Sequence, residues 1–111
     1  RLLRLLERSR AAGVVVLSGD RHRGALSRLQ DSGMGYPLYD LTSSSLNLPI
    51  PGSDPNAMRD GMQVMAANFG LIEIQWDAEP PTIDLELRDD KGTVRVQRRV
   101  ALEALRPPDQ R

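Results

Sequence analysis

The chain of 111 residues contains no cysteine, few aromatic residues and a single histidine, His22. Without cysteine it can form no disulfide, and its composition fits a reducing as well as an oxidising compartment. No apolar run approaches the roughly 18 residues needed to span a bilayer, so we predict no transmembrane segment.

The chain also lacks net charge, because 15 lysines and arginines balance 15 aspartates and glutamates. The chain as a whole therefore has no net electrostatic attraction to nucleic acid or to an anionic membrane. Its basic residues are not interleaved with aromatic residues, as they are in proteins that bind single strands. We expect no nucleic-acid partner. The length corresponds to one domain with a modest core.

The first residue, Arg1, is not a methionine and already lies inside a helical pattern. No preceding residues supply a helix cap or a first strand. We interpret the sequence as the C-terminal fragment of a longer protein, so the lack of a targeting segment says nothing about the parent.

Residues 1–42 are predicted to form a helix–strand unit. Leucines at helical spacing begin it, and Gly13 is expected to end the helix. The run Val14–Leu17 has no polar alternation, which predicts a strand covered on both faces. After a turn, residues 24–30 favour a short helix and residues 36–42 a strand.

Residues 43–67 are rich in serine, proline, glycine and asparagine, which predicts a long loop of the lid or binding type or a disordered insert. Met58, Met62 and Met65 recur at roughly helical spacing there, which predicts a packed lid helix.

Residues 68–104 are predicted to form antiparallel strands, and the patterns at 82–88 and 93–98 indicate a hairpin. Phe69 and Trp76 fall on the alternation and are expected in the core. Residues 106–111 are expected to be frayed. The fold class is α/β, or α+β for a fragment: a helix–strand unit followed by an antiparallel meander.

The most informative motif is Gly19-Asp20-Arg21-His22, which follows the strand predicted over Val14–Leu17. In open α/β sheets, chemistry usually lies at the carboxyl ends of strands. A carboxylate and an imidazole two residues apart in a turn can meet one metal ion at about 2.0–2.2 Å. The alternative is that Asp20 caps the following helix and that His22 is a surface residue. No third ligand is indicated.

Arg21 and Arg23 flank these residues. A guanidinium can clamp a phosphate in a bidentate manner, which makes both candidate substrate-binding residues, although arginines in turns are usually solvated. Since residues at i and i+2 of an extended stretch share a side, we expect both to point away from whatever Asp20 and His22 bind.

The hydroxyls of Thr42–Ser45 lack a nucleophile elbow, so a hydrogen-bonded turn is favoured over catalysis. We expect Tyr36 and Tyr39 to pack in the core and Asp40 to make a structural hydrogen bond.

Three blocks of this sequence, taken together, resemble the C-terminal part of PhoD-like metallophosphatases, the alkaline phosphatase D family. They are VVVLSGDRH at 14–22, YPLYDLTSS at 36–44 and NFGLIEI at 68–74. They occur in the family's order and extend over nearly the whole chain, and the first is the most specific. In the wider metallophosphoesterase superfamily the last metal motif reads Gly-His-x-His, and the PhoD-like version replaces its first histidine by aspartate, as here.

This resemblance implies that Asp20 and His22 are ligands in a multi-metal centre that hydrolyses phosphate mono- or diesters. It suggests iron and calcium as the ions, a metallophosphoesterase-like sandwich as the fold, twin-arginine export, and a periplasmic or secreted location. The family's earlier ligand motifs do not occur in this sequence, so the remainder of the parent catalytic domain would supply them. We expect the isolated fragment to be inactive.

The alternative is a non-catalytic α/β binding or interaction module. In that interpretation the loop 43–67 meets a partner, and the arginine-rich segments 1–10 and 95–99 contact an acidic partner or nucleic acid.

Overall fold

A computed structural model describes all residues from 1 to 111 and shows a compact α+β fold with one helix and two small sheets. The elements are, in chain order, α1 (Leu2–Ser9), β1 (Val15–Ser18), β2 (Gly24–Leu29), β3 (Leu38–Ser43), β4 (Asn68–Gln75), β5 (Thr82–Asp89) and β6 (Val94–Ala101). Two short 3₁₀ helices follow, Leu102–Leu105 and Pro108–Gln110. The predicted α+β class is confirmed. The one α-helix is too short to cross a membrane.

The first sheet has the strand order β1-β3-β2. β1 is parallel to β3, with Ser18 opposite Thr42, and β2 is antiparallel to β3, with Gly24 opposite Ser43. The carboxyl ends of β1 and β3 therefore meet the beginning of β2 at one edge, and the turn between β1 and β2 lies there.

The short helix predicted over residues 24–30 is wrong, because this segment is strand β2. Leu26 has no exposed surface, and every residue of β2 is paired with β3. Pairing along the whole strand and the burial of Gly24 and Leu26 outweigh the weak intrinsic preference of a six-residue segment.

The expectation that β1 is covered on both faces is also wrong. β1 pairs with β3 alone and forms one edge of its sheet. Val15 and Val16 are half-buried, but 64% of the surface of Leu17 is exposed. An uninterrupted apolar run thus marks an uncovered edge strand here.

The second sheet is the predicted antiparallel meander, with the order β4-β5-β6. The central strand β5 buries Leu85 and Leu87 completely. Trp76 is not in the core: 69% of its surface is exposed, because it lies just beyond the end of β4, and Phe69 is only half-buried. The apolar–polar alternation of β4 therefore predicts a longer buried stretch on this edge strand than the structure shows.

Both sheets contribute to one hydrophobic cluster, which includes Leu26 and Leu41 from the first sheet and Leu85 from the second. Leu105, after β6, is 1% exposed and belongs to the same cluster. The two sheets therefore share a single core.

Both chain ends differ from the expectation. α1 ends at Ser9 rather than near Gly13, because Arg10 adopts a left-handed conformation (φ 53°) and its N–H bonds to Glu7. The C-terminus is not frayed: Pro108 begins a 3₁₀ helix and packs against Gly35, where a Cβ would lie 2.6 Å from the proline Cδ.

Residues 44–67 contain no helix or strand, as predicted for a long loop. Two isolated bridges attach this segment to β2, joining Val64 to Gly24 and Arg59 to Ser27. The predicted lid helix is wrong, and its three methionines, Met58, Met62 and Met65, are exposed.

Candidate functional site

The candidate metal-binding turn, residues 19–23, connects β1 to β2 at the edge where β1 and β3 end. Gly19 lies against Ser44, whose Cβ would be 3.7 Å from a Cβ at position 19. The turn is therefore beside the segment that follows β3. Both predicted ligands, Asp20 and His22, lie in this turn.

Both of these residues have left-handed backbone conformations, with φ of 69° for Asp20 and 53° for His22. Arg10 is the one other non-glycine residue with positive φ. Aspartate and histidine are enriched among the residues that adopt this conformation, which still costs about 1–2 kcal/mol per residue. Such strain is concentrated at functional sites, and here it falls on both predicted ligands.

The imidazole of His22 is held by the irregular segment after β3. Its Nδ1 lies 2.9 Å from the carbonyl oxygen of Leu48, and its own carbonyl accepts a hydrogen bond from the backbone N–H of Ile50 at 3.1 Å. A carbonyl oxygen can only accept, so Nδ1 donates and carries the hydrogen. Nε2 of the neutral ring then keeps its lone pair, which is the form in which histidine binds a metal.

Asp20 is exposed, and its carboxylate makes neither a hydrogen bond nor an ion pair with the protein, so both oxygens are free to coordinate. This leaves the helix-cap alternative without support, since a strand and not a helix follows. No group of three histidine, cysteine, aspartate or glutamate side chains in the chain is arranged to hold a metal ion. A carboxylate and an imidazole are two ligand types, and a catalytic metal needs at least three protein ligands.

Arg21 and Arg23 both point into a polar cavity that neither Asp20 nor His22 lines. Arg21 forms an ion pair with Asp54. The hydrogen bond from Arg21 is the main cause that lowers the pKa of Asp54, and the charges of Arg23 and Arg59 add to it. Arg23 donates to the carbonyl oxygens of Arg21 at 3.0 Å and Gly52 at 3.2 Å.

The hydrogen-bonded turn predicted for Thr42–Ser45 is wrong, because Thr42 and Ser43 belong to strand β3, but hydroxyl groups near this edge still make structural contacts. The Ser18 hydroxyl donates its hydrogen to the Asp40 carboxylate at 2.7 Å. Because that hydrogen is already used, Ser18 accepts a hydrogen bond from the Thr42 hydroxyl, whose oxygen is 2.8 Å away. Ser43 donates to Asn68 at 3.0 Å. Ser45 differs, because its hydroxyl is buried and has no partner.

A larger groove of about 650 Å³ opens beside the turn, between the ends of β1 and β3 and the beginning of β4. Asn68, which is 1% exposed, lines it and also donates from its side chain to the carbonyl of Ala66 at 2.8 Å. Asn68 can lie this close to β2 because residue 24 is a glycine, since a Cβ at that position would lie 2.8 Å from the Asn68 Oδ1.

Sequence reasoning did not find Asn68, Asp54 or Arg59 as site residues. Asn68 is the first residue of the block NFGLIEI, and this position in the block is the feature of the sequence that could have pointed to it. Asp54 and Arg59 belong to the irregular segment and meet Arg21 and Arg23 only through the fold.

Comparisons with protein-family models, with curated proteins and with solved structures found no match to this chain. Its functional interpretation therefore depends on these residues and on the resemblance of the three sequence blocks.

Proposed function

We propose that the turn at residues 19–23 supplies two ligands, Asp20 and His22, to the metal centre of a phosphate-ester hydrolase of the alkaline phosphatase D type. The observation that carries the proposal is the hydrogen bond from His22 Nδ1 to the Leu48 carbonyl. It leaves Nε2 as the coordinating nitrogen, while the Asp20 carboxylate has no competing partner in the protein. The rest of the parent catalytic domain supplies the remaining ligands.

When bound, divalent or trivalent ions polarise phosphoryl oxygens and lower the pKa of a bound water, and the resemblance suggests iron and calcium for this role. Asp20 contributes negative charge to the centre, and His22 contributes a neutral nitrogen. The Leu48 carbonyl fixes the tautomer and the orientation of the imidazole, as partners of ligating histidines generally do.

A substrate-binding role for Arg21 and Arg23 stays a prediction. Both line a cavity that does not include Asp20 or His22, so they would contact a part of the substrate remote from the reacting phosphoryl group. The metallophosphoesterase-like sandwich and the periplasmic or secreted location belong to the same proposal, and the resemblance alone supports them.

The proposal is tested in the parent protein by measuring phosphatase activity on a chromogenic phosphate monoester and a diester. Asp20→Ala and His22→Ala each remove a ligand, and we expect kcat/KM to fall by more than the roughly 10–100-fold that loss of a ligand's supporting partner causes. Asp31→Ala, which removes an exposed carboxylate without a partner, is the matched control and keeps full activity. Unchanged activity in both ligand variants would refute the proposal.

One observation favours the second candidate, a binding module. The irregular segment exposes six large apolar side chains, and where such residues form one patch they mark an interaction surface. They are Leu46, Leu48, Ile50, Met58, Met62 and Met65. The arginines of segment 95–99 do not favour an acidic partner, because each already pairs with an aspartate of this chain. A partner that binds the segment while the parent shows no metal-dependent activity would favour this candidate.

A further inference from the structure

The polar cavity that Arg21 and Arg23 line has a volume of about 140 Å³ and lies between β2, β3 and the irregular segment 44–67. Only one of its ten lining residues is apolar. The others include three arginines, Arg21, Arg23 and Arg59, and two aspartates, Asp40 and Asp54. Neither of the proposed metal ligands is among them.

The arginines of this cavity are not fully neutralised by the protein. Arg21 pairs with Asp54, but neither Arg23 nor Arg59 has a carboxylate within 4.0 Å. They bond instead to backbone carbonyl oxygens, Arg23 to Arg21 and Gly52, and Arg59 to Asp54. Three positive charges against two negative ones leave one positive charge in the cavity.

Several hydrogen-bond donors also lack an acceptor in the protein. The buried Nε of Arg59 has no partner, although buried donors in native proteins are nearly always satisfied. The Nη2 of Arg23 makes no hydrogen bond. Ser27 accepts a hydrogen bond from Asn56 at 2.9 Å, so its hydroxyl hydrogen is free to be donated.

We propose that this cavity binds a small tetrahedral oxyanion of the phosphate or sulfate class through Arg23, Arg59 and Ser27. Guanidinium groups bind such anions with strong, charge-assisted hydrogen bonds. The volume is that of about four or five water molecules at about 30 Å³ each, which is enough for an ion of this size. The net positive charge disfavours a cation. The site is separate from Asp20 and His22, and the inference holds whether or not these residues bind a metal.

The test is a titration of the metal-free 111-residue chain with inorganic phosphate at low ionic strength, followed by ³¹P and ¹⁵N NMR. We expect saturable binding with shifts at Arg23, Arg59 and Ser27. Arg23→Gln and Arg59→Gln each remove a charge-assisted bond and weaken binding about 10-fold or more, and Ser27→Ala weakens it about threefold. Sulfate competes with phosphate, whereas acetate, a planar carboxylate, competes poorly.

Arg4→Gln is the matched control, because it removes the same charge from an exposed helix position and leaves phosphate affinity unchanged. Asp20→Asn and His22→Gln also leave it unchanged, which separates this site from the proposed metal ligands. A native-like ¹⁵N spectrum identifies the variants that fold. Arg23→Gln and Ser27→Ala change other side chains of the same cavity, so they test the site even where Arg59→Gln fails to fold.

The inference is overturned if the chain shows no saturable phosphate binding. It is also overturned if Arg4→Gln weakens binding as much as Arg23→Gln, or if His22→Gln abolishes it.

Discussion

At the scale of single residues, Asp84 and Arg99 show how this small protein keeps a charge inside a sheet. Asp84 lies on the central strand β5, where only 2% of its surface is exposed. Arg99, opposite it on β6, donates two hydrogen bonds to the two carboxylate oxygens, at 2.8 and 2.7 Å. This bidentate pair holds the pKa of Asp84 below its usual value.

We predict that Arg99→Met destabilises the chain by about 1–3 kcal/mol at neutral pH, because it leaves the Asp84 carboxylate buried without its partner. A carboxyl group whose pKa is lower in the folded state contributes stability above its unfolded pKa of about 3.9. That contribution is lost as the pH falls through the folded pKa. The difference between Arg99→Met and the unsubstituted chain therefore shrinks below about pH 4.

Urea unfolding of both proteins at neutral and acidic pH measures this difference. Arg106→Met, at an exposed arginine without an ion pair, is the control and changes stability little at either pH. A destabilisation by Arg99→Met that stays constant through the acidic range would show that the pair does not act through the ionised Asp84.

His22 shows which part of the site a sequence can reveal. Its place in a turn after a strand follows from the local pattern of residues 14–22, and so does the nearby carboxylate of Asp20. The acceptor for its Nδ1 is Leu48, 26 residues away in a segment without regular structure. No local signal specifies such a contact, because the rest of the fold brings the two residues together.

At the scale of elements, the strands that alternate clearly between apolar and polar residues were predictable. β5 and β6 follow the alternation of Ile83, Leu85 and Leu87 and of Val94 and Val96, and the turn between them contains Gly92. β2 was not predictable as a strand, because a short segment with one fully buried leucine carries little periodic signal and its pairing with β3 decides its state.

β1 is an edge strand that other chains can pair with. It has four residues, VVLS, and it lacks the charge and the proline that usually protect an edge. We predict that Leu17→Lys reduces concentration-dependent self-association, measured by sedimentation velocity. Its effect on stability stays within about 0.5 kcal/mol, because the leucine is mostly exposed.

Val94→Lys is the control for this substitution, since Val94 is also an exposed residue of an edge strand, but β6 already carries arginines along its length. We expect it to leave self-association unchanged. If both substitutions reduce association equally, or if neither does, β1 is not the edge responsible.

At the scale of the whole molecule, two sheets share one core and the turn 19–23 lies at the edge of the first. The turn separates two environments. His22 contacts Leu48 and Asp20 is exposed, while Arg21 and Arg23 line the polar cavity with Arg59. This division between neighbouring residues was not evident from the sequence, because it depends on the path of residues 44–67 around the turn.

The most direct test of the proposed metal ligands uses the ring nitrogens of His22, whose NMR signals are unambiguous because the chain has no other histidine. Without metal, we predict that the neutral imidazole carries its hydrogen on Nδ1 and leaves Nε2 with its lone pair. Added Zn²⁺, as a diamagnetic probe, shifts the Nε2 resonance and leaves Nδ1 protonated. Asp20→Asn weakens this binding about 10-fold or more, whereas Asp31→Asn does not. An imidazole protonated on Nε2, or a Zn²⁺ response that is the same with and without the Asp20 carboxylate, would contradict the assignment of these two residues as metal ligands.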